Sequence, residues 1–174
     1  MIWSDQHNFA PRFASKICNL GLSPHHRTMT PITPDSILKA SCLCHNAITL
    51  HGPPLRSHYC HCTICQTFHG APFSLNAIYP PAHVVLPDNH HEVFQKHIPK
   101  DQLEIYRCRE CGTLVCAWVG RVQRWAVYVG VGISLNGKRI KPNENPEFEG
   151  LLHMFYKERQ RDIRYGVCLP AINC

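Results

Sequence analysis

Long apolar stretches, runs of basic residues and helical periodicity are all missing from this chain of 174 residues. No apolar stretch approaches the roughly 18 residues that a membrane-spanning helix needs, so we expect no membrane span and no membrane partner. The first residues are polar and acidic where a signal peptide has its apolar stretch, which argues against secretion and for a cytoplasmic protein. Lys and Arg outnumber Asp and Glu only by 18 to 12 and form no run, so nucleic acid is not an expected partner.

Charged residues are scarce as well, at 17% of the chain against 44% hydrophobic residues. This balance excludes a highly charged disordered chain, and the length suits one domain with a buried core. Residues 1–37 differ from the rest, because they contain four prolines and no sustained apolar period. We interpret them as a loosely packed or disordered N-terminal extension, with an organelle-targeting segment as the alternative. The domain itself is expected to cover residues 38–174.

From residue 38 onward, short β-type runs alternate with turn signals rich in Pro, Gly and Asn. The runs cover residues 47–50, 73–79, 83–86, 103–107, 113–119, 122–133 and 151–156. Asn136 and Gly137 predict a tight turn between strands. The pattern predicts a small, mainly β domain built as a sandwich, a barrel or a tent-like set of antiparallel sheets.

The unusual feature of the composition is eleven cysteines. Without a secretory signal, so many thiols indicate metal ligands, and an odd number fits poorly with a fully paired disulfide framework. Seven of them form three tight groups, Cys42 with Cys44, then Cys60, Cys62 and Cys65, and then Cys108 with Cys111. Of the others, Cys116 lies in an apolar run and is expected to be buried, whereas Cys18, Cys168 and Cys174 are interpreted as incidental.

The CxxC motif of Cys108 and Cys111 predicts a zinc knuckle, because such a turn places two sulfurs on one metal and Gly112 permits the sharp bend. Two more ligands are needed, and Cys42 and Cys44 are the obvious donors. Together they would form a closed four-thiolate site. A closed site is structural, and its binding energy contributes to folding.

Cys60, Cys62 and Cys65 can bind a second zinc from a single loop, but they leave a fourth position. Three protein ligands with an open position are typical of catalytic zinc. His69 follows the loop at once and could face that position.

The alternative is that a fourth protein ligand closes the second site and makes it structural. The candidates for that ligand are His58, His61, His69 and Cys116. His61 lies between two ligands, so we expect its side chain to point away from the metal. Most of the remaining histidines lie in polar stretches and are interpreted as solvated loop residues.

The order of these motifs resembles the glutathione-dependent formaldehyde-activating enzyme family, which includes the centromere protein V group. The chain reads CLC, then CHCTICQTFHGAPF, then CRECGTLV, and LLHMFYKERQRDIRYGVCLP is similar to the closing segment of the family. The resemblance covers about residues 38–174 and implies a β-tent (Mss4-like) fold of antiparallel sheets. It also implies a structural zinc on Cys42, Cys44, Cys108 and Cys111, and a second zinc at the active site on Cys60, Cys62 and Cys65.

The activity implied by this resemblance is the condensation of glutathione with formaldehyde to S-(hydroxymethyl)glutathione, a carbon–sulfur lyase reaction run in reverse. The expected partners are a small thiol such as glutathione and a small electrophile. A thiol at the open zinc position would ionise, and His69 or His61 could move the proton. Two alternatives remain: a zinc lyase, dehydratase or isomerase for another electrophile, and a non-catalytic interaction module.

The chain departs from the family pattern beside the predicted metal ligands. His45 replaces the glycine usual after the CxC motif, and Gln66 replaces a common basic residue. An aromatic residue common near the C-terminal charged stretch is replaced around Arg161 and Asp162. These changes remove no ligand, so they bear on the identity of the substrate.

Overall fold

The computed structural model describes residues 31–141, 145–148 and 152–159. This part of the chain forms two β-sheets and two short helices. The strands are β1 (Ile37–Ser41), β2 (Ala47–His51), β3 (Arg56–Cys60), β4 (Ser74–Tyr79), β5 (Val84–Val85), β6 (Phe94–Lys100), β7 (Leu103–Cys108), β8 (Leu114–Val119), β9 (Arg124–Tyr128), β10 (Gly132–Leu135), β11 (Lys138–Arg139) and β12 (Leu152–Met154). The helices are α1 (Thr63–His69) and α2 (His90–Val93), and 3₁₀ turns lie at Pro81–His83 and Tyr156–Glu158.

The first sheet has five strands in the order β11-β10-β1-β2-β5, and the second has seven in the order β12-β3-β4-β9-β8-β7-β6. Neighbouring strands are antiparallel throughout, except that β12 pairs with β3 in parallel. The predicted mainly β fold of antiparallel sheets is therefore confirmed, with one parallel pair at the edge of the larger sheet. Among the described residues, no helix has the length and apolar character needed to cross a membrane.

The main core contains the inward-facing residues of both sheets. In β2 the burial alternates along the strand, so that Ile48 and Leu50 are fully buried. Val115 and Val127 contribute the matching surface of the seven-stranded sheet. Full burial of one such aliphatic side chain stabilises the fold by about 1.5–3 kcal/mol.

A second, smaller cluster covers the outer face of the seven-stranded sheet. Because successive strand residues point to opposite faces, Val127 enters the main core while Tyr128 faces outward. Ile64 and Phe68 of α1 pack against this outer face beside Tyr128. The helix and the loop before it therefore lie on the side of the sheet that points away from the main core.

The stretch 122–133, predicted as one strand, is two strands in different sheets. β9 ends at Tyr128 in the larger sheet, and β10 begins at Gly132 in the smaller one. Between them the N–H of Val131 donates to the carbonyl of Tyr128 and closes a turn. The predicted turn at Asn136 and Gly137 is present, and both residues have positive φ, 51° and 76°.

The predicted boundary at residue 38 falls inside ordered chain. Ile32 is buried in the main core, and the carbonyl of Ser36 accepts a hydrogen bond from the N–H of Gly52. Residues 31–37 therefore contact the β domain, and the division of the whole chain into an extension and a domain stays a prediction. Residues 1–30 lie outside the described residues, as do Cys18, Cys168 and Cys174, so the extension stays a prediction.

Candidate active site and metal centres

Four cysteine side chains meet where the two sheets come together. Their Sγ atoms all lie within 4.8 Å of one another and belong to Cys42, Cys44, Cys108 and Cys111. Cys42 directly follows β1 of the five-stranded sheet, whereas Cys108 ends β7 of the seven-stranded sheet. A metal ion held by these four sulfurs would therefore join the two sheets.

Two tight turns bring these sulfurs together. In the first, the N–H of His45 donates to the carbonyl of Cys42, and His45 has φ 69°. In the second, the N–H of Gly112 donates to the carbonyl of Cys108, and Gly112 has φ 72°. Both turns need a residue in the left-handed region, the conformation that glycine adopts most readily.

Asn46 is a functional candidate that sequence reasoning missed. Its Nδ2 donates hydrogen bonds to Sγ of Cys44 at 3.4 Å and to Sγ of Cys108 at 3.7 Å. Such bonds stabilise thiolate ligands from behind the metal. The only sequence signal is an amide residue two positions after the CxC motif.

The electrostatics of the four-cysteine group favour a cation. Side-chain hydrogen bonds with Cys42 and Cys108 raise the pKa of Cys44, because they favour its protonated thiol. A hydrogen bond with Thr113 lowers the pKa of Cys111 to about 5. The four thiols can all ionise only when a cation compensates their charge.

Three further cysteines form the second group, on the outer face of the larger sheet. Sγ atoms within 4.8 Å of one another belong to Cys60, Cys62 and Cys65. Cys60 ends β3, and Cys62 caps α1 by accepting a hydrogen bond from the N–H of Cys65 at 3.4 Å. Hydrogen bonds from its two neighbours lower the pKa of Cys62 to about 2 and keep negative charge there.

Within the described part of the chain, no other Cys, His, Asp or Glu joins these three sulfurs as a fourth ligand. His61 turns to a partner on β12, with its Nε2 2.9 Å from Nδ1 of His153 and the two rings stacked. Cys116 is fully buried in the main core, on the opposite face of the sheet. His58 is also buried, and burial lowers its pKa to about 4, with a smaller contribution from Arg56.

Residues 152–159, named here the strap, hold the three-cysteine loop from one side. The carboxylate Oε2 of Glu158 accepts hydrogen bonds from the N–H and from Oγ1 of Thr63, each at 2.8 Å. The side-chain amide of Gln66 donates to the carbonyl of Glu158 at 2.8 Å and to the carbonyl of His61. The strap therefore fixes both the start of α1 and the loop that carries the cysteines.

A cavity of about 500 Å³ is lined by residues that neighbour both cysteine groups, although none of the seven cysteines lines it. His69, at the end of α1, lines it and packs its ring edge-on against Tyr128 with centroids 4.4 Å apart. The Nε2 of His69 is buried and has no hydrogen-bond partner among the described residues. Ser74, opposite Cys60 in the sheet, and Thr113, beside Cys111, line the same cavity.

Comparison with known families places these features in context. The family model described as glutathione-dependent formaldehyde-activating enzyme matches residues 37–156, which is more than half of the chain. The chain belongs to this family. A search of curated proteins found no match. The matched residues include all seven clustered cysteines and His69, while the link to the centromere protein V group stays a prediction.

Membership of the glutathione-dependent formaldehyde-activating enzyme family supports a glutathione-related, formaldehyde-activating or zinc-binding function. The donor chemistry agrees, because sets of four and three thiols at this spacing suit zinc rather than oxygen-seeking cations. Both cysteine groups can therefore hold a metal ion, which is consistent with zinc in this family.

Proposed function

We propose that this protein is a zinc-dependent carbon–sulfur lyase that interconverts S-(hydroxymethyl)glutathione with glutathione and formaldehyde. The observation that carries the proposal is the cavity beside the second cysteine group, which is lined by His69, a residue whose buried Nε2 has no hydrogen-bond partner among the described residues. A purely structural centre has no use for such a cavity. The family match supports glutathione and formaldehyde as the reactants.

Two zinc ions are expected per chain, with different roles. Cys42, Cys44, Cys108 and Cys111 would hold the structural ion, and Cys60, Cys62 and Cys65 would hold the ion at the active site. Zinc bound by three thiolates supplies a Lewis acid that lowers the pKa of a thiol. The strap keeps the three sulfurs in place through Thr63 and Gln66.

The reaction balances without an oxidant or a reductant. In the direction of synthesis, the glutathione sulfur forms a bond to the carbon of formaldehyde, the carbonyl π electrons move to oxygen, and that oxygen takes a proton. The proton released by the thiol balances the one taken up. Cleavage reverses these steps, so the hydroxyl proton leaves as the carbon–sulfur bond breaks.

His69 is the side chain proposed to move this proton. Burial lowers its pKa, so the imidazole is neutral near pH 7 and its Nε2 can accept the hydroxyl proton during cleavage. Tyr128 orients the ring by its edge-on contact. Burial also raises the pKa of Tyr128, which therefore stays a neutral phenol beside the thiolates.

The departure at Gln66 lies outside this chemistry. Its side chain is buried and bonded to the backbone of His61 and Glu158, so it supports the loop instead of lining the cavity. The replacement of a basic residue at this position therefore gives little reason to propose a different electrophile.

The test is NMR exchange spectroscopy of glutathione, formaldehyde and their adduct with the zinc-loaded protein. We expect the protein to accelerate the interconversion. The rate with His69→Gln should fall by at least about 100-fold, because general acid–base catalysis contributes about 10²–10⁴-fold. His91→Gln is the matched control, because it makes the same substitution at an exposed histidine, and it should keep full activity. A zinc-loaded wild type that does not accelerate exchange would refute the proposed activity.

A further inference from the structure

Arg107 lines the cavity and has a nitrogen that nothing in the described chain satisfies. Its Nε is buried and without a hydrogen-bond partner among the described residues. No Asp or Glu belongs to the described residues that line the cavity. A guanidinium in a partly dry site is costly unless an anion pairs with it, so the missing partner points to a ligand.

The fold directs Arg107 to this side of the sheet. Arg107 lies opposite Leu114 of β8, and the register shifts between Tyr106 and Arg107. Such a β-bulge re-aims the side chains next to it. Leu114 and Ile105, two residues before Arg107, both belong to the outer cluster under α1, so Arg107 shares the face that carries the three-cysteine group.

The other walls describe the shape of a ligand. Phe68, Phe73 and Val131 give the cavity an apolar surface, while Ser74 adds a buried hydroxyl that lies beside the thiol of Cys65. Ser74 lies on β4 next to Cys60, whereas Arg107 lies on β7.

Four strand spacings, roughly 19 Å, separate the backbone of Arg107 on β7 from that of Cys60 on β3, and the side chains reach part of the way across this distance. A single small group cannot touch both Arg107 and the three-cysteine group. A ligand that reaches both has its sulfur and its anionic group several bonds apart.

We propose that the cavity binds the thiol substrate by a carboxylate that pairs with Arg107, while the sulfur of that substrate faces Cys60, Cys62 and Cys65. The inference rests on the proposed function and extends it, because it names Arg107 as the residue that recognises a carboxylate of the thiol. Glutathione carries such a carboxylate at either end of its chain. The planar guanidinium matches a carboxylate with two parallel hydrogen bonds, so Arg107 would determine specificity.

The experiment compares glutathione with its diethyl ester, in which both carboxylates are blocked, by calorimetry on the zinc-loaded full chain. We expect the wild type to bind glutathione about 10- to 100-fold more tightly, the range for a hydrogen bond to a charged group. Arg107→Gln should bring the affinities for the two ligands to within about threefold of each other. Measuring both ligands with both proteins forms a double-mutant cycle, which isolates the pairing of Arg107 with the carboxylate. Arg107→Lys should retain part of the preference for glutathione, because lysine keeps the positive charge as a point charge but loses the planar guanidinium.

Arg121→Gln is the matched control, because it removes the same charge at an exposed position and should keep the full preference. Equal affinity of the wild type for both ligands, or an unchanged preference in Arg107→Gln, would overturn the inference. The wild-type comparison decides even if Arg107→Gln does not fold. If the preference for glutathione depends on Arg107 but the protein has no exchange activity, the site is upheld and the proposed lyase activity is refuted. If the protein has exchange activity but shows no preference, the lyase activity is upheld and the site is refuted.

Discussion

His45 adopts a left-handed backbone conformation that is usual for glycine. Its φ of 69° lies in the left-handed region, its side chain is exposed, and its N–H bonds the carbonyl of Cys42 in the turn beside the four-cysteine group. The resemblance to the family identified His45 as a replacement for a usual glycine, but only the dihedral angle shows that this replacement places strain in the turn. A residue with a Cβ is disfavoured in this region by roughly 1–2 kcal/mol.

Replacing His45 by glycine should therefore stabilise the protein. We expect His45→Gly to gain about 0.5–1 kcal/mol, after subtraction of the extra freedom of glycine in the unfolded chain. That gain corresponds to a rise of about 1–4 °C in melting temperature for a chain of this size. Differential scanning calorimetry of the zinc-loaded protein measures it, with His45→Ala as the control that keeps the Cβ and should show no gain. A lower melting temperature for His45→Gly would contradict the strain.

At the scale of elements, α1 shows why the local sequence pattern is not sufficient to predict every helix of the site. Its seven residues are too few for a clear helical period, and its first turn has no acidic residue. The carboxylate that complements this turn comes from Glu158, 95 positions later in the chain. An interaction so distant in sequence leaves no local signal, and for the same reason the role of the strap was not predicted, although the β-type run 151–156 was.

The polar strand β3 was missed for a different reason. Ser57 and His58 are both buried although they are neighbours, so the strand shows no alternation of apolar and polar residues. By contrast, β2 and β8 were predicted correctly, because β2 alternates in burial and β8 is a continuous apolar run.

The strap leads to a prediction about the second metal ion. Glu158→Ala removes the acceptor for both bonds of Thr63, so the loop that carries Cys62 and Cys65 should lose its fixed geometry. We expect one of two zinc ions to leave about 10- to 100-fold faster, the usual effect of losing a group that supports metal ligands. Stopped-flow transfer to a chromogenic chelator would show it as one accelerated phase.

Two variants make this result specific. Glu158→Gln keeps an oxygen acceptor and should restore part of the slow release, whereas Glu92→Ala, an exposed carboxylate in α2, should change nothing. If both phases of release accelerate equally, or neither does, the strap has no specific role at the three-cysteine group.

For the whole molecule, the two cysteine groups differ in what they connect. The first joins the end of β1 to the end of β7 and so links the two sheets, whereas the second connects β3 only to the adjacent helix. The cysteine spacings predicted both groups, since CxC, CHCxxC and CxxC are local patterns. The cavity, Asn46 and Arg107 depend on how distant strands are arranged, and no local pattern contains that information.

This difference predicts unequal damage from two single substitutions. Cys108→Ser opens the site between the sheets, and a structural zinc contributes about 10–16 kcal/mol in small zinc domains, as much as the 5–15 kcal/mol that stabilises a typical fold. We expect this variant to lose its cooperative unfolding transition. Cys62→Ser should keep the fold, melt within a few degrees of the wild type, and contain one zinc ion instead of two. Circular dichroism on heating, together with elemental analysis of protein purified without chelator, measures both. Equal loss of stability in the two variants would mean that both ions are structural, and the cavity would then need an explanation other than catalysis.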